Sequence, residues 1–414
     1  MNKHLTDNKA FCLAPWIHIH TSPSGVAAPC CISASCGQLD GVGNAHTQSL
    51  TEIVNSPKMN QLRTDMLAGI KNAECTRCHE HEESDIRSSR QMLNHEFAQY
   101  ADEALADTNA DGTLNNFKMR YFDIRFSNIC NQKCRTCGPG FSTLWEQEEA
   151  KRFPVFDLVP KRNDEFLDDV VGQIENMSSA YFAGGEPLIT EEHYILLEEM
   201  IRQGKTDIRL RYNTNMSNIK FKNKDILDLW KHFDNKIDVY ASIDHYGERA
   251  EYIRHGCDWG NIEENFLAVK KTPYINIQIN TVLSVFNYLT LHEFYTYLIE
   301  KGLYSRRDYV YTLYNMSTPV ELAAHILPTH LKEIGKVKLG DTVKMFKSLN
   351  FKREAIAQLD NANAWVFSQD TWHEHKFAFI EEVQLRDKLR GEDFAHVFPE
   401  LRTMLDQRKA RFPA

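Results

Sequence analysis

Three thiols crowded onto eight residues constrain this chain more than anything else in it. Cys130, Cys134 and Cys137 lie in Cys130-Asn131-Gln132-Lys133-Cys134-Arg135-Thr136-Cys137, at a three-then-two spacing. Hairpin zinc knuckles bring their cysteines in two-residue-spaced pairs, so this spacing is wrong for one. It suits a short loop wrapped over one face of a cube. Three thiolates hold three irons of a 4Fe-4S cluster, whereas a cluster ligated only by protein takes four. The fourth iron is then open to a small molecule. The plainer alternatives are free cysteines, or part of a structural zinc site with ligands elsewhere.

The surroundings of the loop favour the cluster. A strand is expected from Met119 to Ser127 and a helix from Phe141, which puts the cysteines on the turn between them. After the next expected helix comes Tyr181-Phe182-Ala183-Gly184-Gly185-Glu186-Pro187. Two adjacent glycines let backbone approach a ligand closely. Cys130, Cys134 and Cys137 resemble the CxxxCxxC signature of the radical S-adenosylmethionine (SAM) enzymes. Gly184, Gly185, Glu186 and Pro187 resemble that family's second signature, at the end of its second strand. The resemblance implies a 4Fe-4S cluster on the three thiols and SAM on its open iron. It also implies that backbone carbonyls and Glu186 accept hydrogen bonds from the methionine ammonium. One residue departs from the pattern. Most members place an aromatic residue just before the third cysteine to cover the adenine, and here it is Thr136.

Length and charge bound the rest. The chain has 414 residues, enough for two or three domains. Its net charge of −9 gives no reason to expect binding to nucleic acid as the main task. No apolar run is long enough to span a bilayer, so no membrane partner is expected. Met1 to Ala10 is polar and lacks the apolar stretch of a signal peptide. Ten cysteines without such a signal point to a reducing cytoplasm and to thiolates used as metal ligands.

Six of those cysteines precede residue 80: Cys12, Cys30, Cys31, Cys36, Cys75 and Cys78. Residues 1–92 are expected to form a small cysteine-rich α+β module. Pro15 to His20 alternates like a strand, Pro23-Ser24-Gly25 is a turn, and Val26 to Cys31 returns as a hairpin that brings Cys12 and Cys30 face to face. Cys75-Thr76-Arg77-Cys78 follows a helical stretch, Leu50 to Ile70, at the spacing of a tight metal loop. The set Cys12, Gly25, Cys30, Cys75 and Cys78 resembles the opening of the SPASM/twitch modules of radical SAM enzymes. A single four-cysteine set corresponds to the shorter, twitch form. The resemblance implies a second, auxiliary iron–sulfur cluster on Cys12, Cys30, Cys75 and Cys78. Such modules usually follow the core, and here the module comes first. A four-cysteine zinc site is the alternative for the same residues. Cys31 and Cys36 are spare, and Cys31 is able to replace its neighbour Cys30.

Residues 93–118 are acidic and polar and are expected to be a helix and linker. From 119 to 318, strand-like stretches at Met119–Ser127, Ala180–Gly184, Ile208–Asn215, Ile237–Asp244, Ile275–Ser284 and Tyr309–Asn315 alternate with helical ones. The helical patterns include Glu191–Arg202, Lys224–Phe233 and Leu291–Lys301. Such alternation implies a parallel sheet with helices outside, in the α/β class. The six units resemble the partial (β/α)6 barrel of the radical SAM core, in which ligands sit at the C-terminal ends of the strands. The same resemblance gives Ser242 and Asp244, at the end of the fourth strand, to the ribose or methionine carboxylate of SAM. Arg254 is a bidentate partner for that carboxylate or a solvated helix arginine, and Asn280 on the fifth strand is a further candidate. Cys257 is either a small buried hydrophobe or, as in some radical epimerases, a hydrogen donor to a substrate radical.

Residues 319–414 are expected to be a helical extension, with helices at Pro319–Ile326, His330–Leu339, Phe377–Leu389 and Phe398–Leu405. Its aromatics Trp365, Phe367, Trp372, Phe377 and Phe379 suit packing rather than base stacking, since no basic stripe accompanies them. The expected activity is reductive cleavage of SAM to a 5′-deoxyadenosyl radical that abstracts hydrogen from a peptide or protein. A small carbohydrate is the alternative substrate. Flavodoxin or ferredoxin is the electron donor that the resemblance implies. The rival classes are a non-catalytic iron–sulfur protein for electron transfer or redox sensing, and a zinc-stapled binding module.

Overall fold

The computed structural model describes residues 2–38, 41–152, 164–235, 237–308 and 312–406. Its strands are β1 His18–Thr21, β2 Val26–Ala28, β3 Gly43–Asn44, β4 Tyr121–Ile124, β5 Ser179–Phe182, β6 Arg209–Thr214, β7 Ile237–Ser242, β8 Ile275–Leu283 and β9 Thr312–Asn315. Among the described residues these form one nine-stranded sheet in the order β9-β8-β7-β6-β5-β4-β1-β2-β3. Strands β4 to β9 are parallel neighbours, which is the α/β core of six strands expected from the alternation. Residues 309–311, where the last strand was expected to begin, lie outside the described residues.

Strand periodicity separates the two faces of this sheet. Phe122, Ile124, Ala180, Phe182, Leu210, Tyr212, Val239, Ala241, Ile277 and Ile279 are buried in the main apolar core, together with Leu196, Leu197 and Met200 of the helix Glu191–Arg202. The alternate positions are polar: Tyr121, Asp123, Tyr181, Arg211, Asn213, Tyr240, Ser242, Gln278 and Asn280. Most of these are only half-buried. The sheet therefore has one dry face and one polar face.

The cysteine-rich module is built into the sheet. β1 pairs in parallel with β4, matching His18 to Tyr121 and His20 to Asp123. The pairing continues where Arg125 N donates to Thr21 O at 3.1 Å. The expected first strand begins later than its alternation suggested. Ala14–Ile17 is a helical turn with Pro15 in its first positions, where a fixed φ suits a helix start. The returning strand stops at Ala28 because Pro29 has no N–H to extend the ladder.

Three helices of the module matter below: α1 Pro57–Leu67, α2 Thr76–Glu83 and α3 Ser89–Glu96. Arg63 of α1 is fully buried and donates to the carbonyls of Pro15, Val54 and Gly112 at 2.9, 2.7 and 3.0 Å. It thereby ties the module to the 93–118 stretch. That stretch packs against the sheet, and Glu96 at its edge pairs with Arg211 on the polar face.

Past the core, α4 Thr143–Ala150 follows the cysteine loop, α5 Gly247–Ile253 follows β7, and the extension contains α6 Thr329–Ser348, α7 Arg353–Val366 and α8 Trp372–Arg390. Pro319–Ile326 forms two short 3-10 turns rather than a helix. Helix α7 was not expected. Its buried stripe, Ala355, Leu359, Ala362 and Val366, is narrow and set among polar residues. Gly391 ends α8 with φ of 69°.

Candidate active site

The cysteine loop leaves the C-terminal end of β4 and is held on every side. Lys133 and Cys134 pair antiparallel with Arg254 and His255. Ser142 Oγ donates to Gln132 O at 2.6 Å, and Trp145 Nε1 donates to Cys134 O at 2.7 Å. Cys134 is buried, while Cys130 and Cys137 are half-buried. Burial pushes the Cys134 thiol up to about 11 and raises the other two as well. Uptake of iron at these thiols must therefore expel protons.

The Gly184–Pro187 turn closes directly onto this loop. A Cβ on Gly185 would stand 2.2 Å from Ile129 O, so only glycine fits. Glu186 N donates to that same carbonyl at 2.7 Å. Gly184, at φ of 124°, packs on the side chain of Arg125. Pro187 is buried. The Glu186 carboxylate is 1 % exposed and accepts from Leu188 N (3.1 Å), Thr214 Oγ1 (2.7 Å) and Asn215 N (2.7 Å). Its lone pairs thus face the end of β6, and burial raises its pKa to about 7. Asn215 Nδ2 in turn donates to Asn131 Oδ1 of the cysteine loop at 3.0 Å. Three strand ends are knitted into one surface.

Of the candidates on later strands, Arg254 and Asp244 are brought together. Arg254 is buried, not solvated; its Nε lies 2.9 Å from Asp244 Oδ2, and its Nη1 lies 3.7 Å from Cys134 Sγ. Asp244 Oδ1 also accepts from Val282 N at 2.8 Å. Ser242 and Asn280 face each other in register across β7 and β8. Asn280 Oδ1 is buried without a partner among the described residues. Cys257 sits in the turn after Arg254, half-buried beside Cys134, and its thiol is pushed up to about 12 by burial.

One group of residues contributed nothing to the sequence reading. Arg135, between two of the cysteines, pairs with Asp387 (2.6 Å) and Glu392 (2.5 Å) at the end of α8, and its guanidinium lies 3.7 Å from the Tyr252 ring centroid. Lys133 pairs with buried Glu148 of α4 at 2.5 Å, which also holds Arg386 (2.9 Å) and Arg390 (3.0 Å) of α8. The C-terminal extension thus grips the cysteine loop through both of its cations. The spacing of Arg386 and Arg390, four apart on a helix, was the available signal.

The N-terminal cysteines divide into two groups. Cys12, Cys30, Cys75 and Cys78 stand close enough to act on one another electrostatically, and burial pushes Cys12 and Cys75 up to about 12. The Cys30 loop is fastened to the Cys75 turn by Ala34 N on Glu74 O (3.1 Å) and Ser35 N on Glu74 Oε2 (3.0 Å). Beside the four thiols, Arg90 pairs with Glu82 at 2.6 Å and donates to Phe11 O at 2.9 Å. Cys31 and Cys36 turn the other way, toward Asp123 and His20 of the polar face. Cys31 also lies close enough to Cys30 to act on it.

Both donor sets are made of thiols, the ligand type that iron–sulfur clusters take.

Three thiols at the end of a parallel strand, closed over by a glycine turn that admits no side chain, form one candidate site. Residues 124–298 match the family model of the radical SAM superfamily, and residues 12–79 match that of the SPASM iron-sulfur cluster-binding domain. The chain carries a radical SAM domain with a SPASM iron–sulfur module ahead of it. The first domain implies a 4Fe-4S cluster and SAM, and the second suggests further iron–sulfur clusters. No curated protein matches the chain. Among solved structures, it is similar to anSMEcpe with bound AdoMet and Cp18Cys peptide, at 19% identity over 54% of this chain and 60% of that one, with a TM-score of 0.37. It is also similar to Streptococcus suis SuiB, at 15% identity over 72% and 64%, with a TM-score of 0.37. SuiB bound to precursor peptide SuiA gives 12%, 70%, 60% and 0.33. The chain spans about 60% of the length of the first of these structures. No described helix is long and apolar enough to cross a membrane.

Proposed function

We propose that this chain modifies a peptide or protein by radical SAM chemistry at the polar face of its sheet, with Cys130, Cys134 and Cys137 as the ligands of the SAM-binding cluster. One observation carries the reading: Gly185 packs against the carbonyl of Ile129 with no room for a Cβ, so the glycine turn and the cysteine loop form a single site. The bound cluster and SAM supply a 5′-deoxyadenosyl radical that takes hydrogen from an unactivated carbon. The protein's part is placement and exclusion of water. Backbone carbonyls at Gly184 and Gly185 would accept hydrogen bonds from the methionine ammonium of SAM. Arg254 offers the guanidinium edge beside Cys134 to the methionine carboxylate, and Asp244 holds that arginine in place. Ser242 and Asn280 present hydrogen-bonding groups to the ribose. Cys12, Cys30, Cys75 and Cys78 hold the auxiliary cluster. A flavodoxin or ferredoxin delivers the electron.

A peptide suits the polar face because phenol rings, Tyr121, Tyr181, Tyr240 and Tyr314, stand on four of its strands. Tyrosine packs and hydrogen-bonds amide chains at low entropic cost.

Iron and acid-labile sulfide per chain, after anaerobic reconstitution, test the site. About eight irons in the wild type should fall to about four when Cys130, Cys134 and Cys137 are all replaced by Ala. About four falling to none would remove the auxiliary cluster, and no iron in either protein would end the reading. Mass shifts in co-expressed peptides test the substrate class, which activity confined to a free sugar would overturn.

A further inference from the structure

Where the module meets the core, three charged side chains lie together on the polar face, outside the machinery described so far. His20 of β1 and Asp123 of β4 are register partners, with Nδ1 and Oδ2 at 3.0 Å, and both are almost fully buried. Arg125 continues the β4 alternation, and its Nε lies 3.4 Å from Asp123 Oδ1. We propose that Arg125, held by Asp123 and His20, is a carboxylate-binding subsite that takes one carboxylate of the substrate. The proposal rests on the reading of the chain as a SAM-dependent enzyme and narrows its substrate class.

Four observations point there. The first is place. Arg125 precedes Cys130 by five residues, packs against Gly184 of the glycine turn, and has its guanidinium 5.9 Å from the ring centroid of Phe141 just past the cysteine loop. A group bound to it lies at the mouth of the candidate SAM site.

The second is unused capacity. Arg125 donates through Nε alone among the described residues, so the fork of Nη1 and Nη2 is unpaired in a side chain only 18 % exposed. That fork matches the two oxygens of a carboxylate.

The third is charge. Burial opposes the charged form of His20, but its hydrogen bonds to Asp123 and Cys36 together with the charge of Asp123 raise it to about 9, while Asp123 falls to about 2. At neutral pH the group is therefore two cations around one anion, largely out of water. Uncompensated charge in such a place is unfavourable until an anion arrives. One carboxylate neutralises the group. A phosphate dianion would overshoot.

The fourth is architecture. His20 comes from the module and Asp123 from the core. The N-terminal position of the module lets β1 lie parallel to β4, and that pairing completes the subsite.

Saturation-transfer NMR on the reconstituted full chain tests the subsite. The probes are N-acetylglycine, which carries a chain-end carboxylate, and N-acetylglutamate α-amide, which carries a side-chain carboxylate. N-acetylglycinamide and N-acetylglutamine α-amide are their neutral controls, and inorganic phosphate is a competitor. At least one acid should bind roughly tenfold tighter than its amide, the scale of a charge-assisted hydrogen bond. Which acid does so identifies the source of the carboxylate. Arg125→Gln should abolish the preference and Arg125→Lys should reduce it, with iron content and circular dichroism retained as the check on folding. The proposal fails if acids and amides bind alike, if the preference survives Arg125→Gln or Arg125→Lys undiminished, or if phosphate binds better than either acid. It fails too if saturating SAM displaces the acids, since the subsite would then belong to the cofactor. Wild-type protein that holds iron but never cleaves SAM would instead overturn the enzymatic reading, whatever the probes do.

Discussion

The two cysteine sets of this molecule are built in opposite ways. The core set occupies one loop of eight residues, and its backbone is held by neighbours that need no metal: the Arg254–His255 pairing, the Gly185 contact and the ion pairs to α8. The module set draws its cysteines from three segments, at Cys12, at Cys30 and at Cys75 with Cys78, linked by the two hydrogen bonds to Glu74 and the Glu82–Arg90 pair. The core loop is held by protein contacts alone, whereas a site assembled from several segments would lean on a bound cluster for order. Metal-binding free energy becomes folding free energy wherever the apo site is not already fixed.

Removal of iron is the strongest way to break this contrast. After chelation, amide exchange at residues 30–36 and 73–80 should accelerate by roughly a thousandfold, as local structure there opens. Exchange at residues 131–137 should accelerate by no more than about tenfold, since the protein holds that loop unaided. Equal deprotection of both regions would show that the cysteine loop also depends on its metal.

The same contrast explains what could be read in the sequence. The core loop was legible because its ligands and its spacing are local, and because Gly184-Gly185-Glu186-Pro187 marks its neighbour at the expected distance. The parallel strands were legible because strand-like and helical stretches take turns along the chain. The split between Cys30 and Cys31 was not, since which neighbour faces the other cysteines depends on how the turn after β2 closes on Glu74. Nor was the insertion of β1 into the core sheet, a pairing between residues 103 apart in sequence. His18 and His20 fall on one side of a strand by simple alternation, but nothing local announces that Asp123 faces His20. Glu186 shows the converse: the motif named the residue, while its hydrogen bonds to Thr214 and Asn215 emerged only in the fold.

The ion pairs sharpen the comparison at smaller scale. Glu148 is almost fully buried and answers Lys133, Arg386 and Arg390 at once, so hydrogen bonds from Arg390 and Lys133 outweigh burial and bring its carboxyl down to about 2. Glu148→Gln leaves those cations without an anion and should destabilise the protein by about 3 kcal/mol in urea unfolding. Glu82→Gln in the module removes a more exposed pair and should lower stability by about 1 kcal/mol. The first variant should also perturb the absorption of the core cluster, and the second should not. Equal losses would mean that α8 does not grip the cysteine loop more firmly than the module holds its own site.

The weld between the two regions, the His20–Asp123 pair, gives an effect that depends on pH. His20 is raised from 6.5 to about 9, so its contribution is complete below pH 6.5 and is lost as pH rises from there through about 9. Asp123 is lowered from 3.8 to about 2, so its contribution is complete above pH 3.8 and is lost as pH falls through about 2. Both are therefore fully present between those limits, from pH 3.8 to 6.5. Other groups titrate in the same range, so the informative quantity is the difference between wild type and His20→Gln. That difference should shrink by ~2 kcal/mol between pH 6.5 and 9. A difference independent of pH over this interval would mean that His20 is neutral in the folded protein. The pair would then be an ordinary hydrogen bond, and the module and core would be joined by the sheet alone.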